Sequence, residues 1–267
     1  TRSIEAEPEQ PELRYNLFAN LVALGRFKEA REQVTWFVQK HDSGDLRVRT
    51  HLAEMWTALG ETDDALQFWA TLSANYPDSP YYSVEQARAL FRLGRPEEAV
   101  AILNGLNARL EDVRSYELLA EIHVAMDRSR EAIASADRGL NIELTPGLLR
   151  WRAAAAETSG AYSSAYETAN ALLTVDPGNA DMARLLGTSL LAMNEPDEAR
   201  DYFTSLTNRN PAFLPALLGL QEVAARQRQT EEAVRAAQAV VAQRPWDLEA
   251  QRRYANALAR HQTAEQA

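Results

Sequence analysis

The sequence predicts an all-α fold built as a linear stack of helical hairpins, and three observations predict it. First, an L-G-x-x-x-x-A pattern recurs as Leu24-Gly25 with Ala30, Leu59-Gly60 with Ala65 and Leu93-Gly94 with Ala99, and weaker copies end at Ala132, Ala165, Ala199 and Ala233. The gaps between these alanines, counted on to Ala267, are 35, 34, 33, 33, 34, 34 and 34 residues. A period of that length marks a repeat architecture rather than a bundle around one core. Second, both halves of each period place large apolar residues at helical spacing. Third, glycine recurs in mid-period and proline at its close, where helices are capped and stopped.

In chain order the units run 11–45, 46–79, 80–112, 113–145, 146–179, 180–213 and 214–247, with 248–267 opening an eighth and 1–10 forming the tail of a preceding one. Each first helix has a small residue at its midpoint: Ala53, Ala87, Ala120, Ala153, Gly187 and Ala255, with Phe18 and Gln221 departing. Antiparallel helices joined by a short turn must approach closely, and small side chains let their backbones do so. Leu17, Leu52, Leu119, Leu186 and Leu220 flank that crossing. Gly25, Gly60, Gly94 and Gly160 then fall where a left-handed cap residue is wanted. The second helix carries the periodic alanine, followed by Phe37, Leu72, Leu106, Leu172, Leu206 or Val240, with Gly139 at that place in the fourth unit. Pro77, Pro177, Pro211 and Pro245 close their units, while Asp42, Glu111 and Leu144 occupy that phase elsewhere.

These residues resemble the tetratricopeptide repeat family, whose unit is a 34-residue helix–turn–helix. The resemblance covers essentially the whole chain. It implies an α-solenoid, a right-handed superhelix in which first helices line the concave, ligand-binding face. Pro8 at the closing phase and Ala267 at the crossing phase suggest a stretch cut from a longer array.

Composition narrows the function. The chain has 28 basic and 38 acidic residues, for a net charge of -10, which argues against general nucleic-acid or anionic-membrane binding. Much of the acid lies at second-helix starts, at Glu29, Asp63-Asp64, Glu97-Glu98, Glu131, Asp197-Glu198 and Glu231-Glu232, where carboxylates favour the helix dipole. There is no cysteine, which removes thiolate chemistry and Cys-ligated metals. His41, His51, His123 and His261 sit in different regions, and His123 falls on an apolar phase as a core residue. Nucleotide, zinc-protease and serine-hydrolase motifs are absent. No catalytic, cofactor-binding or metal-ligating residues are therefore expected, and the chain reads as a non-enzyme.

Carrying the family's exposed first-helix phases onto this sequence gives a partner-binding face of Tyr81, Arg88, Phe91, Arg92, Arg114, Glu117, Glu121, Arg150, Trp151, Arg184 and Leu185. Leu118, Leu191, Arg226, Arg252, Arg253 and Arg260 fall on the same phases. Aromatic and arginine anchors among mixed charges suit a protein ligand. The lysine-rich carboxylate clamp of chaperone-binding family members is missing from these phases. Among the tryptophans, Trp151 is expected to be the exposed one, and Trp36, Trp56, Trp69 and Trp246 to pack.

The expected function is a scaffold docking protein partners. The long, arginine-rich, cysteine-free array is similar to the periplasmic regions of bacterial exopolysaccharide export proteins, which recruit polymer-modifying enzymes. That similarity implies a periplasmic place, with the cytoplasm as the alternative. The rival readings are an arm of an enzyme such as a glycosyltransferase, and polysaccharide binding in the groove. No segment reaches the ~18 apolar residues that would insert in a membrane.

Overall fold

The computed structural model describes residues 10–40 and 45–266, which form fifteen α-helices with no strand among them. The expected tail at 1–10 (Gln10 apart), the proline phase at Asp42, and Ala267 lie outside the described residues. In order the helices are α1 (Pro11–Ala23), α2 (Phe27–Lys40), α3 (Leu46–Leu59), α4 (Thr62–Asn75), α5 (Pro80–Arg92), α6 (Pro96–Asn107), α7 (Val113–Ala125), α8 (Ser129–Ile142), α9 (Pro146–Ser159), α10 (Tyr162–Val175), α11 (Ala180–Ala192), α12 (Pro196–Arg209), α13 (Leu214–Arg226), α14 (Thr230–Gln243) and α15 (Leu248–Glu265). Odd-numbered helices are the first helices of the repeats. The chain divides into two compact units, Thr1–Met126 and Asp127–Ala267. The division falls between α7 and α8, inside the fourth expected repeat.

Five of the eight first helices begin with a side-chain cap, while α1, α5 and α13 have proline in the first turn instead. Asp45, Asp112, Thr145, Asn179 and Asp247 each accept a backbone N–H of the first helix that follows. This side-chain cap satisfies one of the free amides of a helix start. No side-chain cap forms at α4, α6, α8, α10, α12 or α14, each of which follows a tight turn after its first helix. That turn closes with a six-to-one hydrogen bond, as in Glu61 N to Trp56 O at 2.9 Å and Arg95 N to Leu90 O at 2.9 Å. Carboxylates in the first turn take over, and Glu29 and Glu98 receive Arg26 and Arg95 from the preceding residues, both Nε contacts at 2.7 Å.

The turn needs one left-handed residue. Gly25, Gly60, Gly94 and Gly160 adopt φ of 70°, 76°, 72° and 70°, as the sequence implies. In the remaining turns Asp127, Asn194 and Arg228 hold the same conformation at φ 56°, 65° and 56°. Aspartate and asparagine tolerate it, whereas arginine is strained there.

The periodic alanines are the tightest points of each unit. Ala30, Ala99, Ala132, Ala165 and Ala199 have no exposed surface, and Ala53, Ala87, Ala120 and Ala153 on first helices match them. Around them in the first unit lie Phe18, Phe37, Leu52 and Met55, then Trp69, Leu72 and Tyr82. The second unit buries Leu185, Leu186, Leu190, Phe203 and Val223 together, with smaller groups at Ala224, Ala233, Ala237 and Ala257 and at Leu217, Val240 and Ala250.

The structure departs from expectation at two residues around α15. Ala255 is exposed rather than buried at a crossing, because no described helix covers that face of α15; Ala250 and Ala257 face inward instead. Trp246 is 77% exposed, not packed. It stands in the turn between α14 and α15, outside either helix's apolar stripe.

Candidate functional site

In the first unit, α1, α3, α5 and α7 carry a line of polar and aromatic groups. Tyr15 stacks on His51 with ring centroids 4.1 Å apart and planes at 17°. Glu54, one turn after His51 on α3, lies 3.2 Å from His51 Nδ1 through Oε2. The Tyr81 hydroxyl of α5 donates to Glu54 Oε1 at 2.7 Å, and its ring meets Trp69 edge-on at 5.6 Å. Glu54 is thus gripped from three first-helix residues. Burial alone would raise its carboxyl, but hydrogen bonds from His51, Tyr81 and Tyr15 outweigh burial and hold it below the ordinary carboxylate range. Burial and the adjacent Glu54 charge push Tyr15 up to about 12 and Tyr81 well above its usual value. This cluster ties α1, α3 and α5 together, and its charge is internally satisfied.

Charges further along the face are largely paired. Arg47 reaches Glu12 at 2.8 Å, Arg88 lies between Glu85 at 3.5 Å and Glu121 at 4.0 Å, and Arg114 meets Asp112 at 3.1 Å. Glu117 and Phe91 are half-buried. Arg92 is exposed and forms no ion pair among the described residues.

The second unit repeats the pattern with different partners. Arg184 forks onto Glu157 at 3.0 and 3.4 Å. Arg226 donates to Leu191 O at 2.8 Å and to Glu222 at 3.0 Å. Arg150 is exposed without an ion pair among the described residues, beside a half-buried Trp151. So Trp151 is not the freely exposed indole the sequence suggests. Leu185 leaves the expected face altogether: it is 2% exposed inside the core, and Leu118 and Leu191 are buried likewise. Interior first helices pack on neighbours along more than one stripe, so a leucine on a nominally exposed phase is drawn in.

Two features escape a phase-based reading. Arg152 on α9 is largely buried, and its Nε donates to Asp137 of α8 at 2.6 Å. Its Nη1 donates to Ser164 O of α10 at 3.1 Å and also to Thr168. It braces three helices; its phase sets it apart from exposed Arg150, but its partners on α8 and α10 are not readable from phase. The other is a groove of about 640 Å³ between α13 and α15, floored by alanines and edged by Arg228, Arg253, Asn256 and Arg260. The facing alanines of these helices are its only trace in the sequence. Among the described residues no cluster of histidine and carboxylate could hold a metal, and no helix is long and apolar enough to cross a membrane.

The architecture and this face define a helical-repeat protein with partly paired charge along its first helices. Tetratricopeptide repeat models match residues 15–80, 58–110 and 156–222, together more than half of the chain. The chain belongs to the tetratricopeptide repeat family.

Solved structures agree on the fold. The C-terminal part of a repeat protein from Cytophaga hutchinsonii is 15% identical with a TM-score of 0.69, covering 90% of this chain and 98% of that one. A tetratricopeptide repeat protein from Parabacteroides merdae is 13% identical with a TM-score of 0.54, covering 93% and 98%. YrrB, described as having an unusual peptide-binding site, is 14% identical with a TM-score of 0.58, covering 69% and 96%. No curated protein sequence matches the chain.

Proposed function

We propose that the chain is a non-catalytic scaffold that docks protein partners on its first-helix faces. The observation behind this reading is that the first-helix faces carry exposed arginines with no ion pair among the described residues, Arg92 in the first unit and Arg150 in the second, each adjacent in sequence to a half-buried aromatic residue, Phe91 or Trp151. Most other face arginines are spent on internal ion pairs. Arginine and aromatic residues dominate binding hot spots, and YrrB, which shares the fold, is described as having an unusual peptide-binding site. With the protein as bait, Arg92→Glu or Arg150→Glu should lower recovery of a specific partner at least ~10-fold with unchanged circular dichroism. Full recovery by both variants would overturn the assignment.

The finer reading is a bacterial envelope scaffold of the exopolysaccharide-export type, placed in the periplasm and recruiting a partner enzyme. It is supported by the cysteine-free sequence, with only Lys28 and Lys40 among 28 basic residues. The cytoplasm is the alternative. A partner that modifies polysaccharide would support it, and a catalytic domain joined to this stretch would favour the enzyme-arm reading instead. Direct sugar binding is the weaker alternative, since the Tyr81 hydroxyl is committed to Glu54.

A further inference from the structure

We propose that the groove between α13 and α15 takes an acidic, partly apolar peptide segment of a partner protein, held through its carboxylates by Arg228 and Arg260. This rests on the scaffold reading and gives one of its surfaces a ligand chemistry. The groove, at about 640 Å³, is within the range of sites that enclose a few side chains. Its floor is apolar, built from Leu218, Ala224, Ala233 and Ala257, and offers a seat for aliphatic groups.

Its charge points to the occupant. Arg228, Arg253 and Arg260 line it against a single carboxylate, Glu222, in a chain whose net charge is -10. Glu222 is already bound by Arg226 at 3.0 Å, and Arg253 by Glu249 at 3.0 Å. Arg228 and Arg260 make no ion pair among the described residues. A guanidinium presents a planar fork that matches a carboxylate in two-point geometry, and Asn256 beside them supplies both a donor and an acceptor. Arg228 also stands where four other turns have glycine, at φ 56°. That turn sets its cation in the lining of the groove.

The test is fluorescence anisotropy of the purified chain with a labelled decapeptide of alternating glutamate and leucine, beside one of alternating lysine and leucine. The expected result is saturable binding of the glutamate peptide that weakens with salt, none of the lysine peptide, and a loss of at least ~10-fold in Arg228→Glu and in Arg260→Glu. Gln67→Glu, on an exposed second-helix position outside the groove lining, should bind this peptide as the parent does. No saturable binding of the glutamate peptide, equal binding of both peptides, or unchanged affinity in the arginine variants would overturn the proposal. So would concentration-dependent self-association abolished by Arg260→Glu, because it assigns the groove to a second copy. If the groove variants keep a partner that Arg92→Glu loses, the groove proposal falls and the scaffold reading stands. If neither set of variants affects any partner, both fall.

Discussion

Two neighbouring regions of the second unit use small residues to opposite ends. Between α11 and α13, Gly187 and Gly219 face the ring of Phe203, and a Cβ at either glycine would fall inside that ring's van der Waals envelope. Phe203 itself has no exposed surface. One repeat later α14 places Ala237 where α12 places Phe203, four residues after the periodic alanine. There Ala224, Ala233, Ala237 and Ala257 meet one another, and a groove opens beside them between α13 and α15. A small residue therefore means a closed crossing when a large neighbour fills its space, and an open surface when the neighbours are also small. The repeat pattern alone gives both the same letters.

The sharpest way to break this contrast is to empty the filled crossing. Phe203→Ala should cost about 3–5 kcal/mol, because a fully buried ring is lost between two glycines that cannot move in to replace it. Urea denaturation of that variant would show it, and a cost under ~1 kcal/mol would mean that α11 and α13 close on their own. Next in size is Gly187→Ala. Its methyl must displace the ring, at about 1–3 kcal/mol, and Phe203→Leu in the same chain should recover part of that loss. Two independent costs that simply add would show that the residues do not share space.

Smaller effects belong to the open side. Arg228→Gly removes a non-glycine residue from a left-handed turn and should raise stability by up to about 1 kcal/mol, read as a higher denaturation midpoint. Ala225→Leu enlarges an exposed alanine lining the groove. Its stability should stay within about 0.5 kcal/mol of the parent while acidic-peptide binding falls. A large loss of stability would show that the groove is not free space.

Much of the fold is legible because repeats impose phase. The periodic alanines, the glycines at left-handed turns and the prolines after second helices each answer a local physical need, so their identity survives in the sequence. Asp127, Asn194 and Arg228 meet the same need with other residues and hide their turns. The site is less legible. Phase says which helix side a residue occupies, but not that Arg88 finds Glu121 while Arg92 finds no ion pair among the described residues, since long side chains choose partners across helices about 30 residues away in sequence. Leu185 was drawn into the core by helices on more than one side, which an amphipathic stripe does not anticipate. Trp246 lies in a turn, where helical phase has no authority.

The central claim is that first-helix faces recognise protein and second helices do not. Site-specific photo-crosslinking tests it most directly, with a photoreactive residue placed at Arg92 or Arg150 on first helices, or at the exposed second-helix positions Gln67 or Asn170. The account predicts protein adducts of discrete mass from Arg92 and Arg150, competed away by unlabelled chain, and none from the other two. Adducts from Gln67 and Asn170 with none from the first helices would contradict it.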